Sequence, residues 1–253
     1  MRPMKPLTLF WQGSVCANPV GIDTAHCVDP VAFDARAIPD VPADDNTPAV
    51  LFVSLQMRGK LAKAGIHPIV NDAPWHFEPS LLMSCCPRRM LSDDMIILPF
   101  GNITRRHSIR QRFFIRPNSG NKSFPGQVID LEEMETLKRS YAIRDETLVC
   151  IASERHIRAE RRCVIDVSAG VIIAQSGYSH DGEPAPHFEV DFERDWLGVI
   201  PTDLLPEIVV ADFALTGSGV RLIELNSIST SGLYDIPPET IYNYINSKRS
   251  AFL

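Results

Sequence analysis

The stretch "VVADFALTGSGVRLIELNSISTSGLYD", residues 209–235, contains two apolar runs on either side of a Gly-Ser-Gly turn at 217–219. Three polar side chains interrupt these runs: Asp212, Glu224 and Asn226. Acids and amides are unfavourable in strands, and a buried acid is costly unless it is paired or bound to a metal. The three residues therefore point to a site and not to an ordinary hairpin.

A hairpin with its tip at 217–219 predicts where these side chains lie. Asp212 falls opposite Glu224, and Asn226 shares their face because it lies two residues further along its strand. Two facing carboxylates repel each other unless a cation lies between them, and an all-oxygen ligand set suits Mg²⁺, with Mn²⁺ as a substitute, better than zinc. The stretch alone leaves an alternative open, namely a half-exposed hairpin whose polar residues face outward.

Composition narrows the class of protein. The 253 residues carry a formal net charge of -6 and a pI of about 5.6, which disfavours a nucleic-acid partner. No apolar run approaches the ~18 residues of a membrane span, so no membrane partner is expected. The opening apolar run is too short for a signal peptide, and a cytoplasmic protein is the simplest expectation. The oligomeric state does not follow from the sequence.

The cysteines and histidines show none of the usual spacings of metal ligands. No Cys-x-x-Cys pair, no His-x-x-x-His pair, no Walker A motif and no Gly-x-Gly-x-x-Gly motif occurs. Adjacent cysteines are poorly placed for a shared disulfide. We expect buried, reduced thiols at all six positions: Cys16, Cys27, Cys85, Cys86, Cys150 and Cys163.

The residue pattern changes near residue 100. Residues 1–99 are predicted to form an N-terminal α/β subdomain, with a helix over 47–65, a loop around a short strand over 67–94 and a strand at 95–99. From residue 110 onward, seven short apolar runs alternate with turns, and helices are predicted over 130–143 and in the C-terminal segment 235–253. Residues 100–253 are predicted to form a second domain, and the class is α+β with a mostly antiparallel sheet.

Two other stretches carry candidate functional residues. In "FFIRPNSGNKSFPGQVI" (113–129) a strand leads to Arg116, and a glycine-containing loop carries Lys122. Such a loop can cover phosphates, although a surface hairpin with basic residues is the alternative. In "IRAERRCVIDVSAGVIIAQSGY" (157–178) Glu160 and Arg162 share a strand face, and their alternative is a surface ion pair.

These stretches, in this order, resemble an ATP-grasp protein. The likeness covers residues 95–245 approximately, and it is closest to a small branch that is widespread in viral and bacterial genomes. It implies that Arg116, where lysine is more common, and Lys122 bind ATP phosphates. It also implies that Ser153 and Glu154 lie at the adenine hinge and that Glu160 contacts the ribose.

The opening stretch matches the part of the family that binds metal. The resemblance implies that Asp212, Glu224 and Asn226 hold Mg²⁺, and that Arg162 adds positive charge beside the phosphates. The loop "SISTSGLYD" (227–235) resembles the acceptor side of the site. Four residues are the candidates for substrate contacts: Tyr178, Ser231, Tyr234 and Asp235.

The function that the resemblance implies is an ATP-dependent ligase that joins a carboxylate to an amine through an acyl phosphate and releases ADP and phosphate. The substrate expected is an amino acid, a peptide or a protein terminus. Two alternatives remain open. One is a small-molecule kinase on the same fold, and the other is a nucleotide-binding protein without activity.

Overall fold

The computed structural model describes residues 6–28, 47–86, 89–105, 112–178, 187–196 and 202–252. Its helices and strands are, in chain order, β1 (Thr8–Trp11), β2 (Ala25–Cys27), β3 (Thr47–Phe52), α1 (Leu55–Lys63), β4 (Ile66–Pro68), α2 (Pro79–Cys85), β5 (Ile96–Pro99), β6 (Arg112–Pro117), β7 (Gln127–Asp130), α3 (Met134–Ser140), β8 (Leu148–Ala152), β9 (Ala159–Asp166), β10 (Val171–Tyr178), β11 (Ile208–Thr216), β12 (Gly219–Ser227) and α4 (Pro238–Ser247).

The first sheet is parallel, with strand order β2-β1-β3-β4. The helix predicted over 47–65 is wrong in its first half, because residues 47–52 form β3 and α1 begins only after Ser54, whose hydroxyl accepts from the amide of Met57. The run "AVLFV" is apolar at every position because a central parallel strand is buried on both faces. Val50 and Phe52 pack into one core and Leu51 into the other.

The segment 67–94 is more ordered than the predicted loop around a short strand. It contains the end of β4, a 3₁₀ turn at Pro74–Phe77 and the helix α2. Proline begins both the turn and the helix, where its missing amide hydrogen costs nothing. Phe77 and Leu82 pack against residues of β9, β11 and β12, so tertiary packing holds these short elements.

The strand-rich second half is confirmed, since the seven apolar runs form β6 to β12 and residues 96–99 form β5. Two antiparallel sheets result, with orders β5-β8-β6-β7 and β10-β9-β11-β12. The helices predicted over 130–143 and near the C-terminus correspond to α3 and α4. No helix in the described ranges is long and apolar enough to cross a membrane. The α+β class with mostly antiparallel pairing is thereby confirmed.

The boundary at 99/100 stays a prediction. β5 precedes that boundary in the chain but pairs with β8, which follows it. We propose that the division lies before β5.

All six cysteines are free thiols, and four of them are buried. The expectation of burial is wrong for Cys27, which is exposed, and for Cys85, which is half-buried. Cys27 ends the short edge strand β2, and Cys85 lies in the last turn of α2.

The central strand β9 shows how the fold places the site. Its side chains alternate between a core shared with α2 and a core shared with the first sheet and α4, to which Cys163 and Val164 respectively belong. Glu160 and Arg162 lie on the Val164 face, nearer the start of the strand. The first sheet covers one part of this face, and the other part remains available for polar groups.

Candidate functional site

The hairpin of β11 and β12 brings the first two predicted residues together. Asp212 is directly opposite Glu224, as predicted, although the tip pairs Thr216 with Gly219 and is therefore a two-residue turn. A β-bulge reconciles the two facts: Phe213 pairs with Leu222, Asp212 pairs with Glu224, and Ile223 is left without a partner. The bulge lets Ile223 and Glu224, which are consecutive, line the same cavity.

Asn226 completes the predicted cluster. Its side-chain Nδ2 donates to Asp212 Oδ2 at 3.0 Å and to Glu224 Oε1 at 3.0 Å. Asp212 is 2% exposed and Asn226 6%, so the cluster is part of the protein interior. The alternative of an outward-facing polar hairpin is wrong.

Two cations neutralise Glu224. Arg116 Nη1 lies 3.0 Å from Glu224 Oε2, and Lys122 Nζ lies 2.7 Å from Oε1. Arg116 is the last residue but one of β6 and its side chain is 5% exposed, whereas Lys122 belongs to the loop after β6 and is 38% exposed. The expected repulsion between the facing acids is therefore relieved by protein cations, because three separate segments of the chain converge here.

Arg162 neutralises the other acid. Its Nε and Nη2 donate to Asp212 Oδ1 and Oδ2, both at 2.7 Å, which is the bidentate contact of a guanidinium with a carboxylate. Its Nη1 donates to the carbonyl of Gly232 at 2.6 Å, and its guanidinium carbon lies 4.5 Å from the centre of the Tyr234 ring. Arg162 thus joins Asp212 to the loop that follows β12. Its catalytic role beside the phosphates stays a prediction.

The charges perturb the titration of both acids. Burial alone would raise the pKa of Glu224, but Arg116 and then Lys122 outweigh burial and lower the pKa to about 2. Burial raises the pKa of Asp212 against the opposing effect of Arg162. Both oxygens of Asp212 nevertheless accept from the guanidinium, and that contact is the one an ionised carboxylate makes.

The pH dependence of stability should report the pairing of Glu224. The pKa of this group falls from 4.5 in the unfolded chain to about 2 in the folded protein, so its contribution is complete above pH 4.5 and is lost on acidification toward pH 2. We expect the difference in Tm between wild type and Glu224→Gln to be constant from neutral pH down to about pH 5 and to shrink below it. A difference that stays constant down to pH 2.5 would show that Glu224 is not paired.

The loop carrying Lys122 is held against the segment before α2. A Cβ at Gly120 would lie 2.0 Å from the carbonyl oxygen of Pro74, so only glycine permits this approach. Asn118 Oδ1 accepts from the amide of Ser80 at 2.9 Å. Lys122 adopts a left-handed φ of 46°, which directs the chain back across the cavity.

A cavity of about 510 Å³ opens beside the cluster, between the two antiparallel sheets. Of the residues predicted to bind nucleotide, Arg116, Lys122, Ser153 and Glu160 line it, and Glu160 is 8% exposed. Glu154 is not among the lining residues, and its carboxylate lies 3.4 Å from Arg112 Nε on the surface. Its place at the adenine hinge stays a prediction.

Two parts of the cavity were not predicted from the sequence, namely its apolar wall and a cation at its rim. Arg155 lines the cavity and is bound to Asp93 at 2.7 Å and Asp94 at 3.0 Å. The apolar wall is formed by side chains from several segments: Leu91, Met95, Phe114, Val128, Ile157 and Ile223. These residues gave no signal because apolar strand residues are equally typical of core.

The four residues predicted on the acceptor side differ in their accessibility. Tyr234 is 49% exposed beside Arg162, and Asp235 is exposed. Ser231 is buried, and its hydroxyl donates to the carbonyl of Ser227 at 2.6 Å, so it is engaged within the loop. Tyr178 pairs with Glu160 in the ladder of β10 and β9, but its side chain lies outside the described part of the structure.

The cluster has the composition of a site for a hard divalent cation. The groups that could bind a metal are two carboxylates and one amide, and the amide can present its oxygen. Mg²⁺ binds through a few such oxygens together with phosphates. Within the described ranges, no group of three or more His, Cys, Asp or Glu side chains could hold a metal. Mg²⁺ usually completes such a ligand set with water and with phosphate oxygens of a substrate.

Comparison with solved structures supports the fold. The D-cycloserine synthetase DcsG gives a TM-score of 0.56 at 13% identity, over 97% of this chain and 100% of that one. A RimK-domain ATP-grasp protein from Sphaerobacter thermophilus gives 0.53 at 13% identity, over 88% of each chain. VanG, a D-Ala:D-Ser ligase from Enterococcus faecalis, gives 0.51 at 14% identity, over 78% of this chain and 68% of that one.

Comparison with family models identifies the chain. A search of curated proteins gives no match. A family model described as "ATP-grasp domain, R2K clade family 2" matches residues 91–244, a segment that contains β5 to β12. Since this segment spans more than half of the 253 residues, the chain belongs to the ATP-grasp superfamily, in family 2 of the R2K clade.

Proposed function

We propose that this ATP-grasp protein is an ATP-dependent ligase that joins a carboxylate to an amine through an acyl phosphate. One observation carries the proposal: Arg116 and Lys122 converge on Glu224, beside Asp212 and Asn226, at the edge of a cavity of about 510 Å³. This arrangement supplies positive charge and metal ligands together, as phosphoryl transfer requires. The names of DcsG and VanG, a synthetase and a ligase, point the same way.

The nucleotide would occupy the cavity between the two antiparallel sheets. The apolar wall, to which Phe114, Ile157 and Ile223 contribute, suits the faces of a base. Glu160 is buried at the cavity and offers a carboxylate to the ribose hydroxyls. In this placement the phosphates point toward Arg116 and Lys122.

Nucleotide binding would exchange the partners of the charged groups. Arg116 and Lys122 neutralise Glu224 in the free protein, and phosphate oxygens would compete with the carboxylate for both cations. Glu224, Asp212 and Asn226 would hold Mg²⁺ against the phosphates, and Mg²⁺ would supply charge neutralisation at the transferred group. Lys122 is the more accessible of the two cations, since its side chain is 38% exposed and that of Arg116 is 5% exposed.

The chemical steps then need no nucleophilic side chain. A substrate carboxylate oxygen attacks the γ-phosphorus, the β–γ bond breaks, and ADP leaves with an acyl phosphate remaining. An amine attacks the acyl carbon, the bond from that carbon to the phosphate oxygen breaks, and the nitrogen loses a proton to the departing phosphate or to water as the amide forms. Arg116 and Lys122 would stabilise the charge on the transferred group, and the loop over the cavity would exclude water.

The acceptor side is proposed to be the loop 227–235, with exposed Tyr234 and Asp235 as its accessible contacts. The ring of Tyr234 and the charge of Asp235 suit an amino acid or a peptide, which carries both an amine and an apolar part. Tyr178 and Ser231 complete the proposed set.

Product analysis tests the proposal. With Mg²⁺ and ATP, pooled amino acids and dipeptides should produce ADP and phosphate only when a suitable carboxylate is present. Hydroxylamine should trap the acyl phosphate as a hydroxamate. AMP and pyrophosphate as stoichiometric products would contradict the mechanism, and ADP with a stable phosphorylated acceptor and no hydroxamate would identify a kinase instead.

A further inference from the structure

One of the buried carboxylates outside the proposed nucleotide site is that of Asp72. Asp72 follows β4 in the N-terminal part of the chain, and its side chain is completely buried. Burial of an acid is costly unless partners satisfy it, so the contacts of Asp72 show what it holds in place.

The partners of Asp72 belong mainly to the loop after β12. Oδ2 accepts from the hydroxyl of Ser227 and from the amide of Ser229, the latter at 3.0 Å. Oδ1 lies 3.0 Å from Arg58 Nη2, and Arg58 Nη1 donates to the main-chain carbonyl of Asp72 at 3.2 Å. One carboxylate therefore binds both α1, through Arg58, and the segment at the end of β12, through Ser227 and Ser229.

This contact determines where the acceptor loop begins. Ser227 directly follows Asn226 in the chain. Ser229 is also bound through its carbonyl, which accepts from the amide of Val53 at 2.9 Å. Further along, the amide of Leu233 donates to the carbonyl of Val15 at 3.0 Å. Residues 227–233 thus contact the segments that follow β1 and β3, and Asp72 is one of the charged groups that hold them, together with Arg58, whose Nη1 donates to Ser227 Oγ at 3.4 Å.

We propose that Asp72 is a positioning residue, which fixes the loop 227–233 so that Asn226 and the acceptor face the transferred phosphate. The proposal rests on the ligase function proposed above and assigns the N-terminal sheet a part in it. Aspartate is required because Oδ2 accepts two hydrogen bonds while Oδ1 forms an ion pair with Arg58, 3.0 Å from its Nη2. An asparagine would place its NH2 group at one of the two oxygen positions. There it would face either the guanidinium of Arg58 or the amide of Ser229, and both of these groups are also donors.

Asp72→Asn tests the proposal, and Asp166→Asn is the matched control. Asp166 is also buried, at 1% exposure, and also satisfied by charge, since Lys248 donates to Oδ2 at 2.9 Å, but it lies at the far end of β9 against α4. Both variants should lower Tm. Only Asp72→Asn should lower kcat/KM for the carboxylate and amine found in the substrate pool, by about 10- to 100-fold, with the KM for ATP unchanged.

Hydrogen exchange gives a readout that needs no activity. In the free protein, Asp72→Asn should speed amide exchange in 227–233 but not in β11, whereas Asp166→Asn should leave 227–233 unchanged. Wild-type exchange in that segment would overturn the proposal, as would equal turnover in the two variants. Should Asp72→Asn not fold, Ser227→Ala removes the hydroxyl that donates to Asp72 and accepts from Arg58, and it should raise exchange in the same segment. A wild type without turnover on the pool refutes the ligase function, while the exchange data still decide whether Asp72 holds the loop.

Discussion

Glu224→Gln should abolish turnover and destabilise the free protein. The amide removes one carboxylate from the proposed metal site and the charge that Arg116 and Lys122 share, and the loss of several kcal/mol of charge stabilisation corresponds to a decrease in kcat of about 10³-fold. Arg116 is 5% exposed and would lose its charged partner. We expect the free energy of unfolding to fall by about 2 kcal/mol, less than the ~3–5 kcal/mol for outright removal of a buried partner, because the amide oxygen still accepts.

Steady-state ADP release and urea unfolding at neutral pH measure the two effects. Glu207→Gln is the control, because Glu207 is exposed just before β11 and the same chemical change there should alter neither quantity. Wild-type turnover in Glu224→Gln would refute the metal assignment. A variant more stable than wild type would show instead that the repulsion of Glu224 by Asp212 outweighs the attraction of Glu224 to Arg116 and Lys122.

Arg162→Met should lower the free energy of unfolding more than Glu224→Gln does. The change leaves Asp212, at 2% exposure, without its bidentate partner, and an unpaired buried charge costs about 3–5 kcal/mol. It also frees the carbonyl of Gly232 and the ring of Tyr234. We therefore expect a decrease in turnover as well as in Tm.

The double variant Arg162→Met/Asp212→Asn separates the two losses. With neither charge of this pair left to bury, its Tm should recover toward that of wild type, while turnover should remain absent because a proposed metal ligand is gone. Additive loss of stability in the double variant would mean that Arg162 and Asp212 are not coupled. Chemical denaturation and ADP release on the four proteins complete the cycle.

The sequence predicted the strands from residue 95 onward and the three-residue cluster because both depend on local patterns. Alternation and turn residues identify strands, and Glu224 and Asn226 share a face whatever the rest of the fold does. Asp212 opposite Glu224 was predicted from a tip centred on Ser218. The actual tip is one residue shorter, and the bulge at Ile223 restores the pairing.

What the sequence could not supply were contacts between distant segments. Arg116 and Lys122 were recognised as cations, but nothing local shows that they bind Glu224 about a hundred residues away in sequence. Asp72 carried no signal at all, because an aspartate after a short strand is typical of a turn. The run 47–53 was assigned to a helix because a strand buried on both faces has no alternation to reveal it.

Because of the bulge in β12, the apolar wall of the cavity can change at Ile223 without moving the acids at its other end. Ile223 has no partner in the ladder, so its deletion would leave Phe213 opposite Leu222 and Asp212 opposite Glu224. The acids would keep their places, and only an apolar part of the cavity wall would be lost. Under the proposed placement of the nucleotide, deletion of Ile223 should therefore change the part of the cavity proposed to hold the base and leave the proposed phosphate end as it is.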